Sequence, residues 1–159
     1  MSRRGKAKTR KITPDPLYQQ VLVSRLINGV MKHGKKSLAQ KKVYGALDIV
    51  KEKTKKEPLL ALETAIGNLQ PKLEVRSRRI GGAAYQVPRL LKGRRAEALA
   101  LRWLISYSRA RPSKEYSTFE KKLAAEIMDA ANRIGGAMSK KEEVEKIAEA
   151  NRVFSHLRW

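Results

Sequence analysis

Residues 73–95 read LEVRSRRIGGAAYQVPRLLKGRR, and they interrupt a chain whose other segments carry helical spacing. VRSRRI and AAYQVP hold the β-branched and aromatic residues that suit extended backbone, and Gly81-Gly82 between them is a two-residue turn signal. The pattern predicts a β-hairpin over about 73–88, with Pro88 at an exposed strand's end. Two strands alone are marginal in water, so the hairpin is expected to project as an arm from a helical body. Across 76–95 it carries seven Arg and Lys side chains and no acid.

Three amphipathic helices are predicted ahead of it. Asp15 followed by Pro16 resembles an N-cap with proline in the first turn, and Leu22, Leu26 and Val30 with Val23 and Ile27 form a stripe that ends at Lys32-His33-Gly34. Ser37 is placed to cap a second helix buried through Leu38, Val43, Ala46, Leu47 and Val50, fading in the charged run KEKTKKE. Pro58 opens a third, with Leu59, Leu62, Ile66 and Leu69 on one face and Pro71 closing it.

Beyond the hairpin, AEALALRWLISYSRA is apolar around most of its circumference and is expected to be the body's central helix, ended by Pro112. Trp103 within it is read as a core residue. Capping boxes at Ser117 with Glu120 and at Ser139 with Glu142 announce two more helices, with Gly135-Gly136 as the break between them. The expected fold is mainly α: a single helical domain of about six helices over 15–159, with the hairpin between the third and fourth. A basic extension over 1–14, too poor in apolar groups to offset its ordering entropy, is expected to be disordered on its own.

The charge points to a polyanion. Thirty-six Lys and Arg against 15 Asp and Glu give +21 over 159 residues, far more than solubility requires. The excess is +6 over 1–14, +14 over 15–111 and +1 over 112–159, so the polyanion is expected on the first two-thirds. Cysteine is absent, which removes disulfides, thiol nucleophiles and Cys-based zinc sites. No apolar run approaches the roughly 20 residues a bilayer crossing needs, and the N-terminal stretch lacks a signal-like apolar segment. A soluble, cytoplasmic or organellar protein without a membrane role is expected.

No active site assembles. GVMKHGKK, 29–36, matches a phosphate-binding loop except at its last position, where Lys36 replaces the magnesium-binding hydroxyl, and the preceding segment reads as helix rather than strand. His33 and His156 lack metal-ligand or acid–base spacing. No catalytic residue, metal or cofactor is assigned. A DNA-reading module would need a recognition helix opening with polar base-reading side chains, and no convincing helix-turn-helix is found. The candidates for gripping phosphates are Lys32, Lys35 and Lys36 in a basic turn, Arg76, Arg78 and Arg79 on the hairpin, and Arg94 and Arg95 after it. Tyr85 either stacks on nucleic acid or packs within the hairpin.

The segments PDPLYQQVLVSRLINGVMKHGKKSLAQKKVYGAL, LEVRSRRIGGAAYQVP, ALALRWL and AEANRVFSHLRW resemble, in order and spacing, the bacterial and organellar family of small-subunit ribosomal protein seven. That resemblance implies a non-enzymatic protein that binds the 3′ major domain of small-subunit rRNA, nucleates assembly of the head, and lies near the exit-site tRNA and the mRNA path. It implies neighbouring small-subunit ribosomal proteins of the head and platform as partners. The family's RNA contacts would fall on Arg3, Arg4 and Arg10 of the arm, Lys35 and Lys36 of the turn, Arg76, Arg78 and Arg79 of the hairpin, and Arg95 and Arg102. One departure stands before AEAN, where Glu145-Lys146-Ile147 replaces the family's His-Arg-Met or His-Lys-Met.

Overall fold

The computed structural model describes residues 5, 11–55, 57–91 and 93–157. These form α1 (Val21–Val30), α2 (Lys36–Thr54), α3 (Pro58–Leu69), β1 (Leu73–Ile80), β2 (Ala83–Leu90), α4 (Arg94–Ala110), α5 (Phe119–Ala131), α6 (Gly136–Ala150) and a C-terminal 3₁₀ helix (Arg152–Leu157). The fold is mainly helical, with one antiparallel hairpin between α3 and α4, as expected.

Helix starts are where local sequence signals misplace the boundaries. Asp15 does not cap α1. Its carboxylate accepts the backbone N–H groups of Leu17 and Tyr18, at 3.1 and 3.2 Å, and so closes a turn of its own. Gln19 then takes a left-handed conformation, φ 51°, and the helix begins only at Val21. Ser37 lies inside α2, whose N-cap is Lys35, and Leu38 is exposed instead of buried because the helix opens with its first turn facing water. At α5 the cap is Thr118 rather than Ser117, its hydroxyl accepting from Lys121 N. Ser139 is likewise internal to α6, bonded back to the Gly135 carbonyl. Gly135, at φ 95°, makes the actual break.

The core is one cluster built from α1 to α5 with Ala137 of α6. Its centre is α5, not α4. Leu123, Ala124, Ala125, Glu126 and Ile127 are buried in succession, which covers the helix on every side, and α5 packs against α2, α3, α4 and α6. The α4 run is rich in apolar residues, but Arg102, Ser106 and Arg109 fall together and leave that side to solvent. Trp103 is only partly buried, packed against the edge of the core.

Register in the hairpin runs from Leu73 opposite Leu90 to Ile80 opposite Ala83, so β2 continues two residues past the expected end. Pro88 sits mid-strand opposite Val75 and is buried with Val87. Every strand of a two-stranded sheet is an edge, and proline is tolerated there where its missing N–H would face away from the partner. The base of the hairpin packs on α6 and the 3₁₀ helix, while Ser77 to Arg79 and Gly81 to Ala84 stay exposed. The tip is the arm, and the base belongs to the body.

Candidate nucleic-acid interface

The basic residues lie on a connected series of elements. Between α1 and α4 runs a hollow of about 410 Å³ whose lining includes Arg25, Arg94, Arg102 and Arg109, with Ile12, Leu101 and Ile105 as apolar floor. Gly29 faces Ile105 where the two helices meet: a Cβ there would stand 2.7 Å from Ile105 Cδ1, which would have to shift. A second hollow of about 460 Å³ lies beside it, lined by Lys32, His33, Lys35 and Lys42 around Val30, Leu38 and Phe119. Arg109 lines both, so the turn at 32–36 and the α1–α4 hollow share a wall.

Not all of these cations are free. Arg109 Nη2 donates to the Val30 carbonyl at 3.0 Å, satisfying an orphan acceptor in the last turn of α1. Arg25 pairs with Glu97. Lys32, Lys35, Lys36, Arg94 and Arg102 are exposed and make no ion pair among the described residues. The turn holding the lysines is fixed by two left-handed residues, His33 at φ 51° and Gly34 at φ 74°.

On the hairpin, side chains alternate between faces. Arg76 and Arg78 share one face with Tyr85 and Val87, and Arg79 points to the other. The three arginines therefore straddle the arm instead of forming one row. Arg76 is also tied down. Glu74 Oε1 accepts from Arg76 Nε at 2.8 Å, and Glu74 Oε2 accepts from Arg95 Nε and Nη2 at 3.2 and 3.1 Å. Glu74 stands just outside the acid-free stretch in sequence, yet its carboxylate lies between two of that stretch's arginines. Tyr85 is half-buried, its ring 5.3 Å from Phe154 of the 3₁₀ helix, so one side of it packs within the protein.

Arg3, Arg4 and Arg10 lie outside the described residues. Of the neighbouring segment, Ile12 is half-buried in the α1–α4 hollow, and the Thr13 carbonyl accepts from Ser24 Oγ at 2.8 Å. Sequence reasoning missed Arg25, Arg109 and Glu74. One signal was available: Arg95, Arg102 and Arg109 recur every seventh residue, which keeps them near one stripe of α4.

A cluster of another kind joins the end of α4 to α5 and α6. Glu126, 1% exposed, accepts from Arg111 Nε at 2.7 Å and from the Ala137 N–H at 3.0 Å. Arg111 also pairs with Asp129 and lies over the Tyr116 ring. Burial disfavours the Arg111 cation, but the hydrogen bonds it donates to Asp129 and Glu126 outweigh it and raise its pKa above the ordinary arginine value. Such a closed network braces the fold and leaves nothing for a substrate. Among the described residues no three His, Asp or Glu side chains gather to hold a metal, and no helix is long and apolar enough to cross a membrane.

The model of the family described as Ribosomal protein S7p/S5e matches residues 2–152. The chain belongs to this family. Its members are ribosomal proteins with a structural role rather than enzymes. Similar relatives of the S7p/S5e type include the small ribosomal subunit protein uS7 of Caldicellulosiruptor saccharolyticus, 56% identical, that of Acetivibrio thermocellus, 52%, and that of Pelotomaculum thermopropionicum, 54%. Each alignment covers all 159 residues and the full length of the relative. The departure at 145–147 has a structural use in this S7p/S5e chain, because Glu145 Oε1 accepts the Lys72 N–H at 2.9 Å, where the chain enters β1.

Proposed function

We propose that this protein is an RNA-binding structural component of the small ribosomal subunit, acting in the ribosome in the cytoplasm, with residues 15–159 as one helical RNA-binding unit and 1–14 as a basic extension. It binds the 3′ major domain of small-subunit rRNA and nucleates folding of the head. Its hairpin tip reaches toward the exit-site tRNA and the mRNA path, and neighbouring ribosomal proteins of the head and platform pack against its nearly neutral last third. The observation that carries this reading is the run of cations from the turn at 32–36, past Arg109, along the α1–α4 hollow to Arg94 and Arg102. A concave basic surface beside a basic arm suits a folded RNA, which is recognised by shape and by phosphate and 2′-hydroxyl contacts more than by base edges.

The test is competition binding. A transcript of the 3′ major domain is bound by the purified protein and challenged with duplex DNA of equal length. The transcript should resist displacement. Displacement by equimolar duplex would favour a DNA-binding protein and overturn the proposal. Addition of the protein should also be required for later head proteins to join a reconstituted particle, and their joining without it would remove the nucleating role.

A further inference from the structure

We infer that Glu74 is a positioning residue, which makes Arg76 and Arg95 into a single two-guanidinium clamp for one phosphodiester of folded RNA. The inference rests on the RNA-binding reading above and goes beyond it by assigning a subsite and the acid that builds it. Arg76 comes from β1 and Arg95 from the first turn of α4, and one carboxylate, on a residue only 7% exposed, holds both. Arg76 uses only its Nε, which leaves both Nη groups unused. Arg95 uses its Nε–Nη2 edge and leaves Nη1. The two arginine side chains are 52% and 49% exposed, so solvent reaches both while one carboxylate holds them side by side.

The energetics make the acid informative. A desolvated carboxylate is costly unless well paired, and a negative charge on a surface that receives a polyanion weakens long-range attraction. What it supplies in return is geometry. Two long side chains that would otherwise lose rotamer freedom on binding are already fixed before the RNA arrives. The free Nη pair of Arg76 can then meet two phosphate oxygens as a planar fork while Arg95 Nη1 adds a further charged donor, an arrangement lysine cannot reproduce. The same carboxylate ties the hairpin base to the first turn of α4.

Simple charge counting and positioning predict opposite signs. Glu74→Gln raises the net charge by one, so an account based on charge alone predicts tighter binding to every RNA. The clamp predicts about tenfold weaker binding to the 3′ major domain transcript, on the scale of one lost charge-assisted contact, with affinity for unstructured poly(U) unchanged or increased. In an Arg76→Ala/Arg95→Ala background, Glu74→Gln should have no further effect on binding the transcript. A separate variant, Arg76→Lys/Arg95→Lys, keeps charge but loses the forks, and should also bind the transcript about tenfold more weakly. Circular dichroism melts accompany each measurement.

Parent-like or tighter binding of the transcript by Glu74→Gln overturns the inference, as does parent-like binding by the double lysine variant. An equal loss from Glu74→Gln with and without the two arginines means Glu74 acts through the fold alone, which also overturns it. A parent protein that fails to prefer the transcript over poly(U) overturns the RNA-binding reading itself, a result distinct from the others.

Discussion

Two buried acids show how single residues hold this fold. Glu126 satisfies Arg111 of the α4–α5 connection and the Ala137 N–H at the start of α6. Removing one partner of a buried pair costs about 3–5 kcal/mol. Asp129 still pairs with Arg111, so Glu126→Ala should lower stability by about 3 kcal/mol, read as a shifted denaturant midpoint at unchanged slope. Asp15 is the other. Tyr44 donates to both of its oxygens, at 2.8 and 2.9 Å, and burial together with this bond pushes the Tyr44 pKa up to about 12. Because the folded state keeps that proton longer than the unfolded chain, the contribution is complete below pH 10 and is lost as pH rises through 12. A Tyr44→Phe variant should lose less stability than the parent between those pH values, and equal losses would remove Tyr44 from the account. Neither acid announces itself in the sequence. Asp15 beside Pro16 reads as a helix cap, and Glu126 reads as one polar position among apolar ones, because burial depends on which helices later close over them.

At the scale of elements, the hairpin behaves as two parts. Its tip carries Arg78 and Arg79 into solvent on opposite faces, while its base is held by Glu74 and by Glu145 on the Lys72 N–H, and Tyr85, opposite Arg78, packs against Phe154. Phe154→Ala should therefore speed amide exchange in β2 and leave α5 unchanged. Protection in β2 equal to the parent's would show that the 3₁₀ helix does not brace the arm. Most of this was legible: Gly81-Gly82 and the period-two residues placed the hairpin, and apolar spacing with Pro58 and Pro71 placed α3. What was not legible came from long-range packing. The 3₁₀ helix buries the base that local rules left exposed, and α4, dense in apolar residues, yields the centre to α5 because its arginines share a side. Cap signals failed where a stronger local competitor existed, as with Thr118 beside Ser117.

For the whole molecule, the +21 charge predicted a polyanion partner, and the fold turns that charge into a shape. Cations distant in sequence, at 25, 32, 35, 42, 94, 102 and 109, line two hollows with a common wall. The sequence showed the charge and part of the hairpin's geometry. The hollow itself forms where α1 and α4 come together, which no local pattern encodes. Some of its arginines are spent internally, Arg25 on Glu97 and Arg109 on the Val30 carbonyl.

Under the proposed RNA-binding reading Arg78, Arg79, Arg94 and Arg102 are cations that meet RNA: all are exposed and make no ion pair among the described residues, so replacing all four with Ala should leave the melting curve intact. The most direct measurement is the salt dependence of affinity for the 3′ major domain transcript in the parent and in this fourfold variant. Each phosphate contact adds about 0.7–0.9 to the slope of log affinity against log salt. The account predicts a steep parent slope that falls by about three in the variant, with weaker binding at every salt concentration. A variant of native stability whose slope and affinity match the parent's would contradict it.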